Sequence, residues 1–136
     1  MPKGSCACGQ AQHEYSGEPA AVVVCHCRPC RKFAGMNGST NAMVKADQYT
    51  KPSSSLMQWK RGGDSGKQVA YNNCANCGTI MYVEAEAMPG IYIFKTGTLD
   101  DAETLNNLRP GMEIYTKDRP TCFEGLAGVP QKEAAP

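Results

Sequence analysis

Eight cysteines in 136 residues, seven of them gathered in three short clusters, restrict this chain more than any other feature of its sequence. The clusters are Cys6-Ala7-Cys8-Gly9, Cys25-His26-Cys27-Arg28-Pro29-Cys30 and Cys74-Ala75-Asn76-Cys77-Gly78. Such density suits a disulfide scaffold in an oxidising compartment, or metal-binding and reactive thiols in a reducing one. Met1 to Ser5 run straight into the first cluster with no hydrophobic signal segment, so a cytoplasmic protein with reduced thiols is expected. No apolar run approaches the roughly 20 residues that span a bilayer, and no membrane partner is expected.

The first and third clusters share a pattern, two cysteines and then a glycine. A tight turn after a bound cysteine directs backbone N–H groups at the sulfur, and glycine takes the positive φ that such a turn can require. Two knuckles of this kind can supply four thiolates to a tetrahedral zinc, a closed structural site that ties the N-terminus to the second half of the chain. The competing readings are unliganded buried cysteines, or thioredoxin-like redox chemistry at a lone C-x-x-C. The latter expects a βαβ setting that the strand-rich surroundings of Cys74 do not offer.

The central cluster is chemically different because it holds only three thiols. If Cys25, Cys27 and Cys30 bind one zinc, the fourth position falls to water, a substrate, His26 or a distant residue such as Cys122. An open position is what catalysis needs, and an electron-rich three-thiolate site suits a substrate thiol better than the generation of strong hydroxide. Cys25, Cys27 and Cys30 are therefore the catalytic candidates. Arg28 and Arg31 would share a face of a short helix and are candidates to hold the carboxylates of a peptide thiol; a solvated helix face accounts for them equally well. His26 alternates away from its neighbouring cysteines and reads first as a packed histidine. His13 reads as exposed in a polar strand, Cys122 as a small apolar residue, and Trp59 and Tyr71 as core aromatics in preference to pocket walls.

Around these clusters the chain reads as short strands broken by glycine, proline and cysteine. Strand-like runs cover Gln10 to Tyr15, Ala20 to Cys25, Ser39 to Lys45, Lys67 to Asn72, Thr79 to Glu84, Ile91 to Thr96 and Met112 to Thr116. Pro89-Gly90 marks a turn that should pair the two runs flanking it. Helix is confined to Arg28–Ala34, ended by Gly35, and to a short turn capped by Asp100 or Asp101. Lys51 to Gly66 has the composition of an exposed loop on both sides of Trp59. The expectation is one mainly β domain over residues 1–124, built from short antiparallel strands, with a flexible tail over 125–136. Counting seven thiolates and two divalent ions takes the formal charge of +1 to roughly −2. With charges scattered along the chain, nucleic acid is not expected as a partner.

Taken in order, Gly4-Ser5-Cys6-Ala7-Cys8-Gly9, Cys25-His26-Cys27-Arg28-Pro29-Cys30-Arg31-Lys32 with Gly35, Cys74-Ala75-Asn76-Cys77-Gly78 and Gly97-Thr98-Leu99-Asp100-Asp101 resemble the glutathione-dependent formaldehyde-activating enzyme family, which also contains centromere protein V. The resemblance spans about residues 3 to 120. It implies a zinc-stabilised β-tent fold with two zinc ions, one structural on Cys6, Cys8, Cys74 and Cys77 and one labile or catalytic on Cys25, Cys27 and Cys30. It also implies a carbon–sulfur lyase that joins glutathione or a related small-molecule thiol to an electrophilic carbon such as formaldehyde or a larger metabolite. The alternative is a non-catalytic zinc module that binds a protein partner. A homodimer is compatible with either. The chain departs from the family at its C-terminal end, where Phe123 stands in place of the common tryptophan after Arg119-Pro120-Thr121-Cys122.

Overall fold

The computed structural model describes residues 1–135, and the chain is mainly β. Ten strands form: β1 (Lys3–Ser5), β2 (Gln12–Tyr15), β3 (Ala21–Cys25), β4 (Ser39–Lys45), β5 (Tyr49–Thr50), β6 (Leu56–Gly62), β7 (Gln68–Cys74), β8 (Ile80–Ala85), β9 (Ile91–Lys95) and β10 (Met112–Ile114). They divide into a three-stranded sheet of order β1-β2-β5 and a seven-stranded sheet of order β10-β3-β4-β9-β8-β7-β6. All pairings within the large sheet are antiparallel except that of β10 with β3. Among the described residues there are two short α-helices, α1 (Arg28–Ala34) and α2 (Ala102–Asn107), and three single 3-10 turns. Gly35 ends the first, and the Asp101 carboxylate accepts from the Thr104 N–H at the start of the second. Among the described residues no helix is long and apolar enough to cross a membrane.

Strand alternation gives the large sheet two faces of different character. On one, Ala42, Val44, Tyr82 and Phe94 pack with Ala11, Tyr15 and Tyr49 of the small sheet and its flank, forming the main core. Phe94 is fully buried, stacked with Tyr49 and tilted against Tyr15. The opposite face has a smaller cluster of Val23, Cys25, Cys27, Cys30 and Ile114, with Ala21, Met43 and Tyr115 packed on it. Helix α1 lies on this second side, entered directly from β3 through Cys25-His26-Cys27.

Several expectations need correction. Residues 51–66, read as loop, contain β6, which pairs in full register with β7 from Leu56↔Cys74 to Gly62↔Gln68. It is an edge strand, almost wholly exposed, so its composition carries no burial signal. The tail, expected to be loose from 125 onward, is paired with β10 and the residues just beyond that strand. Glu113 N–H donates to the Pro130 carbonyl, Lys132 N–H to the Glu113 carbonyl and Tyr115 N–H to the Ala134 carbonyl. Its anchor is the buried Glu113 carboxylate, which accepts from the Leu126 N–H at 2.7 Å and the Gln131 amide at 2.6 Å. His13, read as exposed, is only 4 % exposed. Its ring is bonded to the Tyr49 hydroxyl on one side and the Thr98 hydroxyl on the other.

Candidate metal centre

The N-terminal knuckle and the knuckle after β7 meet in space although 66 residues separate Cys8 from Cys74. Cys6 follows β1, and its sulfur accepts the Ala11 N–H at 3.2 Å. The turn closes as the Gly9 N–H bonds the Cys6 carbonyl, with Gly9 at φ 82°. The second knuckle repeats this. Gly78, at φ 79°, donates to the Cys74 carbonyl. Both glycines thus occupy the left-handed region that a side chain would strain. Thr79 stitches the knuckles together, its hydroxyl lying 3.1 Å from the Ala7 N–H and 3.2 Å from the Cys77 sulfur.

The sulfurs of Cys6, Cys8, Cys74 and Cys77 all lie within 4.8 Å of one another, with Cys6 to Cys8 at 3.5 Å and Cys8 to Cys74 at 3.8 Å. Around a tetrahedral zinc with Zn–S of about 2.3 Å, neighbouring sulfurs lie about 3.8 Å apart. The spacing and the donor set therefore fit zinc. Two of the four thiols, Cys77 and Cys6, are drawn toward the thiolate before any ion binds, whereas Cys74 is pushed up. The Thr79 hydroxyl and backbone N–H groups bring the Cys77 thiol down to about 5. Burial works against ionisation of Cys6, but the Ala11 N–H and the neighbouring thiols of Cys8 and Cys74 outweigh it, leaving Cys6 below the ordinary thiol value.

Cys25, Cys27 and Cys30 form the second group, their sulfurs also within 4.8 Å of one another and all three buried. The last residue of β3 supplies Cys25, Cys27 is the residue before α1, and Cys30 is the buried position of that helix, with Pro29 in its first turn. Three thiols at this spacing fit the same soft ion, with one tetrahedral position left unfilled by protein. Hydrogen bonds from Cys25 and Cys27 hold the Cys30 thiol down, helped by the Lys95 charge and the Ser39 hydroxyl; the reciprocal effect pushes Cys25 up. Cys122 is exposed and belongs to neither group.

The remaining sequence candidates lie around these groups. His26 is 1 % exposed and stands outside the thiol group, its Nε2 2.7 Å from the Glu113 carboxylate, in keeping with a packed role. Burial pushes Glu113 up, but hydrogen bonds from Gln131, His26 and the Leu126 N–H outweigh it, so its carboxyl lies below the usual range. Arg28 is exposed, whereas Arg31 is half-buried and reaches the Asp118 carbonyl at 3.5 Å.

Two cations near the three thiols carry no signal in the sequence alone. Lys95 ends β9 and is held by Asn41 Oδ1 at 2.6 Å and Ser39 Oγ at 3.4 Å. Burial pulls it below the ordinary lysine value, against the opposing pull of Cys30, Cys25 and Cys27. Arg61, in β6, donates from Nε to the Tyr71 hydroxyl at 2.8 Å. The strand that holds Lys95 is legible in sequence and the one that holds Arg61 is not, and only the strand register reveals that the two share the thiol face. A separate open hollow, lined by Gln58, Lys60, Glu84 and Glu86 among others, contains no cysteine.

Comparison with known proteins agrees with the order of these elements. The family model described as "Glutathione-dependent formaldehyde-activating enzyme" matches residues 1–118. No curated protein matches the chain. Among solved structures, a protein of Rhodobacter sphaeroides shares 19 % identity, covering 76 % of this chain and 94 % of that one, with a TM-score of 0.57. At that identity the likeness is one of fold.

Proposed function

The chain belongs to the glutathione-dependent formaldehyde-activating enzyme family, and from that premise we propose that it joins glutathione or a related thiol to an electrophilic carbon, acting as a zinc-dependent carbon–sulfur lyase. In this reading Cys6, Cys8, Cys74 and Cys77 hold a structural zinc, and Cys25, Cys27 and Cys30 hold a second. The observation that carries the reading is the contrast in donor number: four sulfurs meet at one cluster and three at the other, each set at metal-binding spacing.

A zinc ion on the three cysteines would supply an open coordination position that favours the thiolate form of an incoming thiol at neutral pH. The chain's own groups define what else happens there. The half-buried Lys95 ammonium, fixed by Asn41 and Ser39, offsets the negative charge that three thiolates and a fourth sulfur accumulate. Arg28 and Arg31, both on α1, hold the carboxylates of the thiol substrate. In the addition the thiol gives up its proton, the S–C bond forms to the carbonyl carbon, and the C=O π pair moves to oxygen, which takes a proton. Nothing is oxidised or reduced. The reverse of these steps is the lyase direction.

The test is the rate of S-hydroxymethylglutathione formation from glutathione and formaldehyde, followed by exchange NMR with protein carrying its full zinc complement. Acceleration over the uncatalysed reaction is expected, and Cys30→Ser should remove it without unfolding the chain. Absence of acceleration in the fully loaded wild type with glutathione would overturn the assignment.

A further inference from the structure

Formaldehyde carries one carbon and gives a protein nothing apolar to hold, yet the wall beside the three thiols is aromatic. Phe33, Trp59 and Tyr71 form a contiguous group, with ring centroids 4.8 Å apart for Phe33 and Tyr71, 5.5 Å for Trp59 and Tyr71, and 6.0 Å for Phe33 and Trp59. Tyr71 is buried, but Trp59 is 49 % exposed and Phe33 39 % exposed, so two rings of the three present accessible faces. Isolated exposed apolar residues need no explanation; a contiguous set of tilted and edge-to-face rings on the thiol side of the sheet is different.

Register places this group on the thiol side of the sheet. Residues directly opposite in an antiparallel pair point to the same face, and the row runs Trp59↔Tyr71, Tyr71↔Val83, Val83↔Ile93, Ile93↔Met43 and Met43↔Ala21. Its far end, Met43 and Ala21, packs against the cluster that Val23 and Ile114 form with the three cysteines. The near end is joined to them by α1, where Phe33 lies one turn beyond Cys30 and so shares its helix face. A third connection comes from Tyr115, which packs on the cysteine cluster and donates its hydroxyl at 2.6 Å to Asp64, in the turn between β6 and β7. Tyr115 takes φ 54°, the one non-glycine residue with positive φ among those described. The hairpin that carries Trp59 is thus tied to the rim of the thiol site rather than pointing away from it.

Resting on the function proposed above, we infer that Phe33, Trp59 and Tyr71 form a subsite for a planar apolar group attached to the electrophilic carbon. The substrate class then extends beyond the one-carbon adduct to an S-conjugate formed between glutathione and an aryl or comparably unsaturated carbonyl compound. The occupant follows from position. A group bonded to the sulfur at the three-cysteine site reaches the walls that adjoin it, and flat aromatic faces favour stacking of a planar ring. The carboxylates of the thiol peptide find their partners elsewhere, at the cations Arg28 and Arg31. The bond changes are those of the addition already given.

Trp59 is the only tryptophan, so its emission reports on the subsite directly. Zinc-loaded protein is titrated with glutathione, S-methylglutathione and S-benzylglutathione, with affinities read by calorimetry and the wild-type spectrum read in parallel. S-benzylglutathione is expected to bind about tenfold more tightly than S-methylglutathione and to change Trp59 emission. Trp59→Leu and Phe33→Leu should each remove most of that advantage while leaving affinity for glutathione within about twofold, and Trp59→Phe should retain it. Equal affinity for the benzyl and methyl conjugates, or a loss in the leucine variants that is the same for all three ligands, overturns the subsite. Failure of the wild type to bind glutathione at all strikes the proposed function instead.

Discussion

The two cysteine clusters draw on one kind of ligand atom yet sit on opposite faces of the same sheet, and they differ in a way that exposure alone would misjudge. In the four-cysteine cluster Cys8 and Cys77 are exposed, while all three sulfurs of the other cluster are buried. Solvent exposure would name the first as the reactive one. Donor number and surroundings point the other way. The four-cysteine cluster borders the main core through Cys6 and Cys74 and joins the start of the chain to the end of β7. The three-cysteine cluster has a thin apolar surround, two nearby cations and an aromatic wall. In the proposed function closure is a matter of how many ligands the protein supplies, and the sheet keeps the two clusters apart.

The largest effect that could break this contrast is ligand loss. Metal binding at a structural thiolate site is worth roughly 10 kcal/mol or more, comparable to the whole stability of a small domain. Cys74→Ser should therefore abolish cooperative unfolding, as seen by circular dichroism in urea, whereas Cys30→Ser should keep it and lose thiol chemistry. Equal damage from both substitutions would erase the distinction between the sites. Next in size are the two faces of the sheet. Phe94→Ala opens the main core and should cost about 3–5 kcal/mol in denaturant midpoint measurements. Trp59→Ala, on the half-exposed opposite wall, should cost about 1 kcal/mol or less.

Acid sensitivity sharpens the comparison further. Burial holds His13, on the main-core side, down to about 4 from a reference of 6.5. A histidine whose folded value is depressed binds fewer protons folded than unfolded between those values, so its contribution to stability is present above pH 6.5 and is lost as pH falls toward 4. By pH 5 the loss should reach about 2 kcal/mol. His13→Gln should flatten that part of the pH–stability curve relative to wild type. Glu113, on the other side, is depressed below the usual carboxylate value and loses its contribution only as pH falls through its lower, folded value. If His13→Gln leaves the slope between pH 7 and 5 unchanged, the histidine does not carry it. The smallest effect concerns α2, where Asp101→Ala removes the cap accepting from Thr104 and should lower the urea midpoint only slightly without altering either cysteine cluster.

Features legible in the sequence are local in origin. Ser39–Lys45 and Arg28–Ala34 are legible to the residue because alternation and a terminal glycine are signals contained within the segment. The pairing of β8 with β9 across Pro89-Gly90 is legible for the same reason. The grouping of seven cysteines into sets of four and three comes from spacing, glycine placement and ligand number. Features that escape the sequence depend on partners distant in the chain. His13 is buried because Tyr49 and Thr98, 36 and 85 residues away, satisfy both ring nitrogens. The C-terminal segment is held by Glu113, whose carboxylate also meets His26, a contact across 87 residues. β6 mixes apolar and charged residues without a buried face, as an edge strand can, and only its ladder to β7 identifies it. Lys95, Arg61 and Trp59 acquire meaning once register shows which face they share.

Zinc K-edge absorption spectroscopy on the purified protein, recorded without and with glutathione, addresses the difference between the two clusters most directly. The predicted result is two zinc ions per chain, with four sulfurs around one throughout and the sulfur count around the other rising from three to four when the thiol is added. Two ions whose sulfur shells do not respond to glutathione, or a folded chain with its clustered cysteines joined as disulfides, would contradict it.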